Sequence, residues 1–290
     1  MTEFHLFLPQ MRFGFDALVE RARSAAQAGF TGIALMDHLA PPLALEQPMY
    51  EAMVTAAWLA AHTERLVIGH LVLCDSLRHP AVLAREAVSL DHASGGRFEL
   101  GIGWGSVPEE LVTFGIGSVE PRARVQRLGE TLSVVRALWT GERVDFTGEH
   151  FTVTDGLQRP TPLDRIPIVI GGAGPRTLEL VAAHADWWNL PIYALDRLEE
   201  LRPKVGAART SVQEMVTFVP AGADGAEIEA TARRRFGRMR GRVGGTAAEL
   251  VEHYRGLVDR GVERFYCWFT DFAPPATLEE FGASVIGALA

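Results

Sequence analysis

Lysine is nearly missing from this chain. Of its 28 basic side chains, Lys204 alone is an amine and the rest are arginines. A single lysine in a helix-rich segment counts against a lyase or isomerase that works through a Schiff base from a strand end. Cysteine is as scarce. Cys74 and Cys267 are too few and too isolated for a disulfide framework or a zinc site. No run reaches the roughly 18 consecutive apolar residues of a membrane span. The start, Met1-Thr2-Glu3-Phe4, lacks a basic stretch followed by a long apolar one. These absences predict a reduced, cytoplasmic setting. A positive surplus is also missing: the net charge is -8, which argues against nucleic acid or an anionic membrane as the main partner. The first strand-like run ends in Leu8-Pro9-Gln10, not in the Gly-x-Gly-x-x-Gly turn of an open dinucleotide-binding sheet. Long repeats, low-complexity tracts and linkers are absent as well, so residues 1–290 read as one domain.

What is present is a steady alternation. Phe4–Leu8, Thr31–Met36, Leu66–Leu73, Phe98–Ile102, Ile166–Ile170, Asp186–Leu190, Glu214–Val219 and Val262–Phe269 are short apolar runs that read as eight strands. The third is nearly continuous in apolar residues, as a strand buried on both faces should be. Helix-forming sequence follows each. Asp16 caps a helix with Leu18, Ala22 and Ala25 on one face, and Gly29 ends it. Further helices span about Glu51–Ala61 and Pro80–Asp91, and Val125, Leu128, Leu132, Val135 and Leu138 make one apolar stripe. Thr246-Ala247-Ala248-Glu249 has capping-box spacing. Residues 141–165 break the rhythm with Gly, Pro and Asp and two short β-like runs. They read as an insertion after strand four that packs over one end. The prediction is an α/β fold, a (β/α)8 TIM barrel with that insertion.

In such a barrel the chemistry sits at the C-terminal strand ends. There the chain places Asp37-His38, Cys74-Asp75, Gly103-Trp104-Gly105, Gly171-Gly172 and Asn189. Gly171-Gly172-Ala173-Gly174-Pro175 is the best anion site. Glycines let the backbone come close, and a helix N-terminus offers free N–H groups to a phosphate. The bland alternative is a plain tight turn. Asp37-His38 pairs a carboxylate with an imidazole, suited to orienting or protonating a cofactor ring, or else to an exposed loop. Trp104 could wall a pocket or simply pack. His5 reads as a core or interface residue, and Cys74 and Cys267 as structural. The Arg233-Arg234-Arg235 run, with Arg238 and Arg240 beyond it, reads as a solvated helix face or as a contact for a polyanionic cofactor tail.

Three stretches carry a resemblance: Ala60-Ala61-His62-Thr63-Glu64-Arg65-Leu66; Arg78-His79-Pro80 through Leu90-Asp91-His92-Ala93-Ser94-Gly95-Gly96-Arg97-Phe98-Glu99-Leu100-Gly101-Ile102-Gly103; and Pro167-Ile168-Val169-Ile170-Gly171-Gly172-Ala173-Gly174 with Ala185-Asp186-Trp187-Trp188-Asn189. The chain resembles, over nearly its whole length, the luciferase-like flavin and deazaflavin oxidoreductases. The resemblance implies a barrel that binds coenzyme F420 or FMN at its C-terminal mouth. It places the cofactor phosphate at Gly171, Gly172, Ala173 and Gly174, and Gly103, Trp104 and Cys74 beside the cofactor. Leu71 and Val72 fall where many members have a non-prolyl cis peptide. The Asp37-His38 pair looks like the F420 branch, which implies hydride transfer with His38 as acid or base and Asp37 orienting it or bonding the ring. The FMN alternative is a monooxygenase fed reduced flavin by a partner flavin reductase. A non-catalytic flavin-binding member is a further alternative. Members are often homodimers, which implies a dimer through helices of the barrel wall. The substrate is a small molecule, unspecified.

Overall fold

The alternation closes on itself. The computed structural model describes residues 2–42, 44–237, 239 and 241–289; Arg238 and Arg240 lie outside the described residues. The strands are β1 (Glu3–Phe7), β2 (Gly32–Leu35), β3 (Val67–His70), β4 (Leu73–Cys74), β5 (Leu100–Gly103), β6 (Val144–Thr147), β7 (Thr152–Gly156), β8 (Ile168–Gly171), β9 (Trp187–Leu190), β10 (Arg209–Phe218), β11 (Arg242–Gly245) and β12 (Arg264–Phe269). The helices are α1 (Phe15–Gln27), α2 (Ala52–His62), α3 (Pro80–Ser94), α4 (Pro108–Phe114), α5 (Pro121–Trp139), α6 (Pro175–His184), α7 (Leu198–Leu201), α8 (Gly225–Phe236), α9 (Ala247–Asp259) and α10 (Pro275–Phe281). Among the described residues, no helix is long and apolar enough to cross a membrane.

Parallel pairing runs β3-β2-β1-β12-β10-β9-β8-β5-β4. β3 and β4 are two halves of the third barrel strand, parted at the cis Leu71–Val72 peptide. The ladder closes where Ile68 bridges Phe98 and the Glu99 amide donates to the Ile68 carbonyl at 3.0 Å. The eight predicted strands are therefore present in their predicted order, with three differences. The third is interrupted. The seventh, β10, begins at Arg209 rather than Glu214. β11 adds a short parallel strand beside β10.

Packing follows the alternation of strand side chains. Phe4, Leu6 and Leu8 point outward to the helices, and α1 returns Leu18, Ala22 and Ala25 to that layer. Each fully buried leucine there contributes about 1.5–3 kcal/mol. Gly14 caps α1, and Asp16 lies in its first turn without a capping bond. α9 has the capping box, with the Thr246 amide donating to Glu249 at 2.8 Å.

The most specific sequence stretch turns out to be a closure device. Gly95, at φ 68°, ends α3 in the left-handed conformation that glycine alone adopts freely. Arg97 then donates to the carbonyls of Ala60, Thr63 and Leu66 at 2.8–2.9 Å and ties the end of α2 to β3. At Gly101 a Cβ would stand 1.8 Å from the His70 carbonyl oxygen, so only glycine lets strands three and four approach.

Residues 141–165 depart from the prediction. β6 and β7 form an antiparallel hairpin along the outer wall. Its tip is held by Glu130 of α5, and its far end by Gln158 and Thr161 against α3. It does not cover an end of the barrel, and none of its residues lines the cavity described next.

Candidate active site

Inside the barrel, Phe7, Ala34, Met36 and Tyr266 form a separate apolar cluster with Leu71 and Trp268 against it. Above this pad opens a cavity of about 1280 Å³ at the C-terminal strand ends. Its wall includes Asp37, His38, Leu71, Val72, Cys74, Gly103, Trp104, Gly171 and Gly172, so nine predicted positions converge from strands two to five. Ala173 and Gly174 do not line it. Ala173 packs against the core, and Gly174 is the N-cap of α6.

Asp37 and His38 are neighbours with separate duties. The Asp37 carboxylate is buried and committed to the wall. It accepts from Arg78 at 2.6 and 3.2 Å and from the Cys74 amide at 2.8 Å. Arg78 also reaches Glu51, the N-cap of α2, at 2.6 Å. Asp37 therefore joins the end of β2 to β4 and to the segment just before α3. This corrects the expectation that it orients His38. Consecutive residues leaving a strand point to opposite sides, and the guanidinium takes both carboxylate oxygens.

The carboxylate that holds His38 is Glu110, on α4. Its Oε2 lies 3.0 Å from His38 Nδ1, while its Oε1 accepts from the amides of Leu39 and Ala40. The His38 side chain keeps 16% exposure. With Nδ1–H directed at a carboxylate, the tautomer leaves Nε2 as the acceptor. Glu110 was missed from sequence. Glu109-Glu110 after Pro108 signals only a helix start, and nothing in the spacing shows that one of them reaches back to the loop after β2.

Cys74 contributes packing and its amide. Burial pushes its thiol up to about 11, so it carries no thiolate at neutral pH. Glycines let chain and cavity approach each other: a Cβ at Gly103 would stand 2.8 Å from Val72 Cγ2, and one at Gly105 2.9 Å from Cys74 Sγ. Trp104 takes the Arg124 guanidinium 4.7 Å from its ring centroid.

The turn from β8 to α6 has the features of an anion cradle. Gly172 adopts φ 139°, and its carbonyl accepts from Trp188 Nε1 at 2.8 Å. A Cβ there would meet Thr177 Cγ2 at 2.8 Å. No side chain caps α6 at Gly174, and Pro175 occupies its first position. The first-turn amides and the helix dipole therefore face the turn without a side-chain acceptor. Arg12, Arg233, Arg234 and Arg235 line the opposite rim, so the arginine run is not simply a solvated face.

A family model described as luciferase-like monooxygenase matches residues 2–268. The chain is 34% identical over 230 residues to an F420-dependent glucose-6-phosphate dehydrogenase of Nakamurella multipartita, covering 73% of this chain and 67% of that one. It is 34% identical over 183 residues to an F420-dependent hydroxymycolic acid dehydrogenase of Mycobacterium tuberculosis, covering 62% and 50%. It thus spans between half and two thirds of those relatives. A solved F420-dependent secondary alcohol dehydrogenase in complex with an F420-acetone adduct superposes with a TM-score of 0.83 over 100% of this chain and 99% of that one, at 19% identity.

Proposed function

The chain belongs to the luciferase-like monooxygenase family, and from that premise we propose that it is a cytoplasmic oxidoreductase using coenzyme F420 on a small organic substrate. The observation that carries this reading is the His38–Glu110 pair on the wall of a cavity whose wall also includes Gly171 and Gly172, at the turn that leads into α6. Such a cavity fits a flat ring with a phosphate tail. Gly103 and Gly105 give close backbone approach, and Gly171, Gly172 and the first turn of α6 supply donors for the phosphate. Bound there, the deazaflavin supplies a two-electron hydride donor or acceptor.

The chain's own residues supply position and protons. Glu110 holds His38 in the tautomer whose Nε2 accepts; Nε2 takes the proton of a substrate hydroxyl that is oxidised or, once protonated, gives it to the oxygen of a carbonyl that is reduced. Asp37 and Arg78 keep the strand ends fixed, which preserves that geometry between turnovers. The apolar pad of Phe7, Met36 and Trp268 keeps water from below.

Equilibrium fluorescence titration tests the cofactor. F420 binds more tightly than FMN; the reverse order moves the reading to a monooxygenase with a partner flavin reductase, and binding of neither sinks both. His38→Ala lowers kcat by about 10²–10⁴-fold with F420 affinity retained.

A homodimer belongs to the same proposal. On α2, Val54, Ala57, Trp58 and Ala61 form an exposed apolar stripe at i, i+3, i+4 and i+7. Sedimentation of Trp58→Glu against the wild type tests it, a shift to monomer being the expected result.

A further inference from the structure

Across the mouth from the glycine turn, the rim carries arginines that pair with no carboxylate among the described residues. Arg12 lies in the loop after β1, and Arg234 and Arg235 lie at the end of α8; all three are exposed and line the cavity. The guanidinium carbons of Arg12 and Arg235 stand 5.1 and 5.5 Å from the ring centroid of Phe272, in the loop after β12. Their hydrogen bonds go to neutral oxygens. Arg12 donates to Gln47 at 3.1 Å, Arg234 to the Thr231 hydroxyl at 2.8 Å and Arg235 to the Thr270 carbonyl at 3.4 Å. Neighbouring Arg233, by contrast, pairs with Glu229 at 3.2 Å. The nearby Asp271 is spent on the Ala273 amide and the Thr277 hydroxyl.

Two like charges on one aromatic ring repel each other unless an anion joins them. The backbone is shaped to hold them there. Of the non-glycine residues with positive φ among those described, Arg12 (70°), Phe272 (67°) and Ala273 (55°) all belong to this rim, and only Asp155 lies elsewhere. Such conformations concentrate at ligand clamps. Arg21, with its guanidinium on Phe13, fixes the Phe272 carbonyl at 3.0 Å. The loop is held in place by a cation of its own.

We infer that Arg12, Arg234 and Arg235 form an anion subsite for a phosphate or carboxylate carried by the substrate. The substrate is then an anionic metabolite rather than a neutral alcohol or ketone. Guanidinium groups are the side chains best shaped for such oxyanions. That the occupant is substrate rests on the reading above. With the cofactor phosphate at the β8–α6 turn and the ring beside strands two to four, the arc from strand six round to strand one remains for the second reactant, and the loop after β1, α8 and the loop after β12 lie on it.

Isothermal calorimetry with inorganic phosphate tests the subsite on wild type and on Arg12→Gln/Arg235→Gln, each with and without saturating F420. Circular dichroism melting checks folding, and the single variant Arg234→Gln serves as a milder probe. The F420-loaded wild type binds phosphate, the double variant binds it about tenfold or more weakly, and Arg234→Gln falls between them. The Kd for F420 stays within about twofold across the three proteins. Equal phosphate affinity in all three overturns the subsite. Phosphate that competes with F420, together with a raised F420 Kd in the variants, gives the arginines to the cofactor tail and overturns the substrate class. If F420 binds none of the proteins while phosphate still separates wild type from variants, the subsite stands and the cofactor reading falls.

Discussion

The two ends of the barrel interior treat charge in opposite ways. At the floor, Arg264 donates to Glu99 at 2.8 and 3.0 Å and to Glu3 at 2.8 Å, and Tyr266 closes the set with a bond to Glu99 at 3.2 Å. Trp187 covers the guanidinium, 3.7 Å from its ring centroid. Arg264, Glu99 and Glu3 are each paired, and only the uncharged ring of His5 beside them lacks a hydrogen bond among the described residues. At the mouth, above the apolar pad, His38 has one nitrogen engaged, the α6 amides have no side-chain cap, and three rim arginines have no carboxylate partner among the described residues. A satisfied network fixes a fold, whereas an unsatisfied one keeps binding energy in reserve for a ligand.

Removing one partner at the floor is the sharpest way to break the contrast. Arg264→Met strands Glu99 in the interior and lowers unfolding free energy by about 3–5 kcal/mol in urea titrations; a loss below about 1 kcal/mol would mean that the floor is not a closed network. Buried imidazoles give the next effect. His70 is fully buried, and burial lowers its pKa from 6.5 to about 4. Its folded pKa lies below the unfolded one, so the unfolded chain takes up the proton first. The stability is complete above about pH 6.5 and is lost as pH falls toward about 4, on the order of 3 kcal/mol in all. Burial shifts His5 at the floor in the same direction. Replacing His70 by Gln should flatten the pH dependence measured by thermal melts, and an unchanged slope would refute the assignment.

Changes at the mouth should spare stability and cost function. Glu110→Gln frees the tautomer of His38 and lowers kcat about 10–100-fold while the melting temperature moves little. A matching loss in the melting temperature would reduce Glu110 to a loop anchor. Gly172→Ala gives the smallest effect. It crowds Thr177 at a φ of 139° and weakens F420 binding about tenfold. Unchanged affinity would place the phosphate elsewhere.

The floor and the mouth were unequally legible. Eight strands could be counted because buried parallel strands are short apolar runs, and Pro80, Gly95 and the Thr246–Glu249 box mark helix ends by local chemistry alone. β10 was read too short because Ser211 and Gln213, polar residues inside the barrel, hide the beginning of the strand. The glycines at 103, 171 and 172 were found because backbone approach leaves its mark in residue type. Pairings over long separations leave none: Arg78 with Asp37, Glu110 with His38 and Arg264 with Glu99 exist only once the sheet has closed. The hairpin of β6 and β7 was located as an irregular segment, but its polar composition did not say which surface it would choose.

The shortage of lysine has a practical side. Apart from the chain terminus, Lys204 is the sole primary amine. It stands between α7 and β10, at the foot of the barrel, paired with Glu200 at 3.0 Å. With the chain terminus blocked, an amine-reactive dye or surface tether would attach there, holding each molecule with its open end facing solvent and its spectroscopic readout undisturbed.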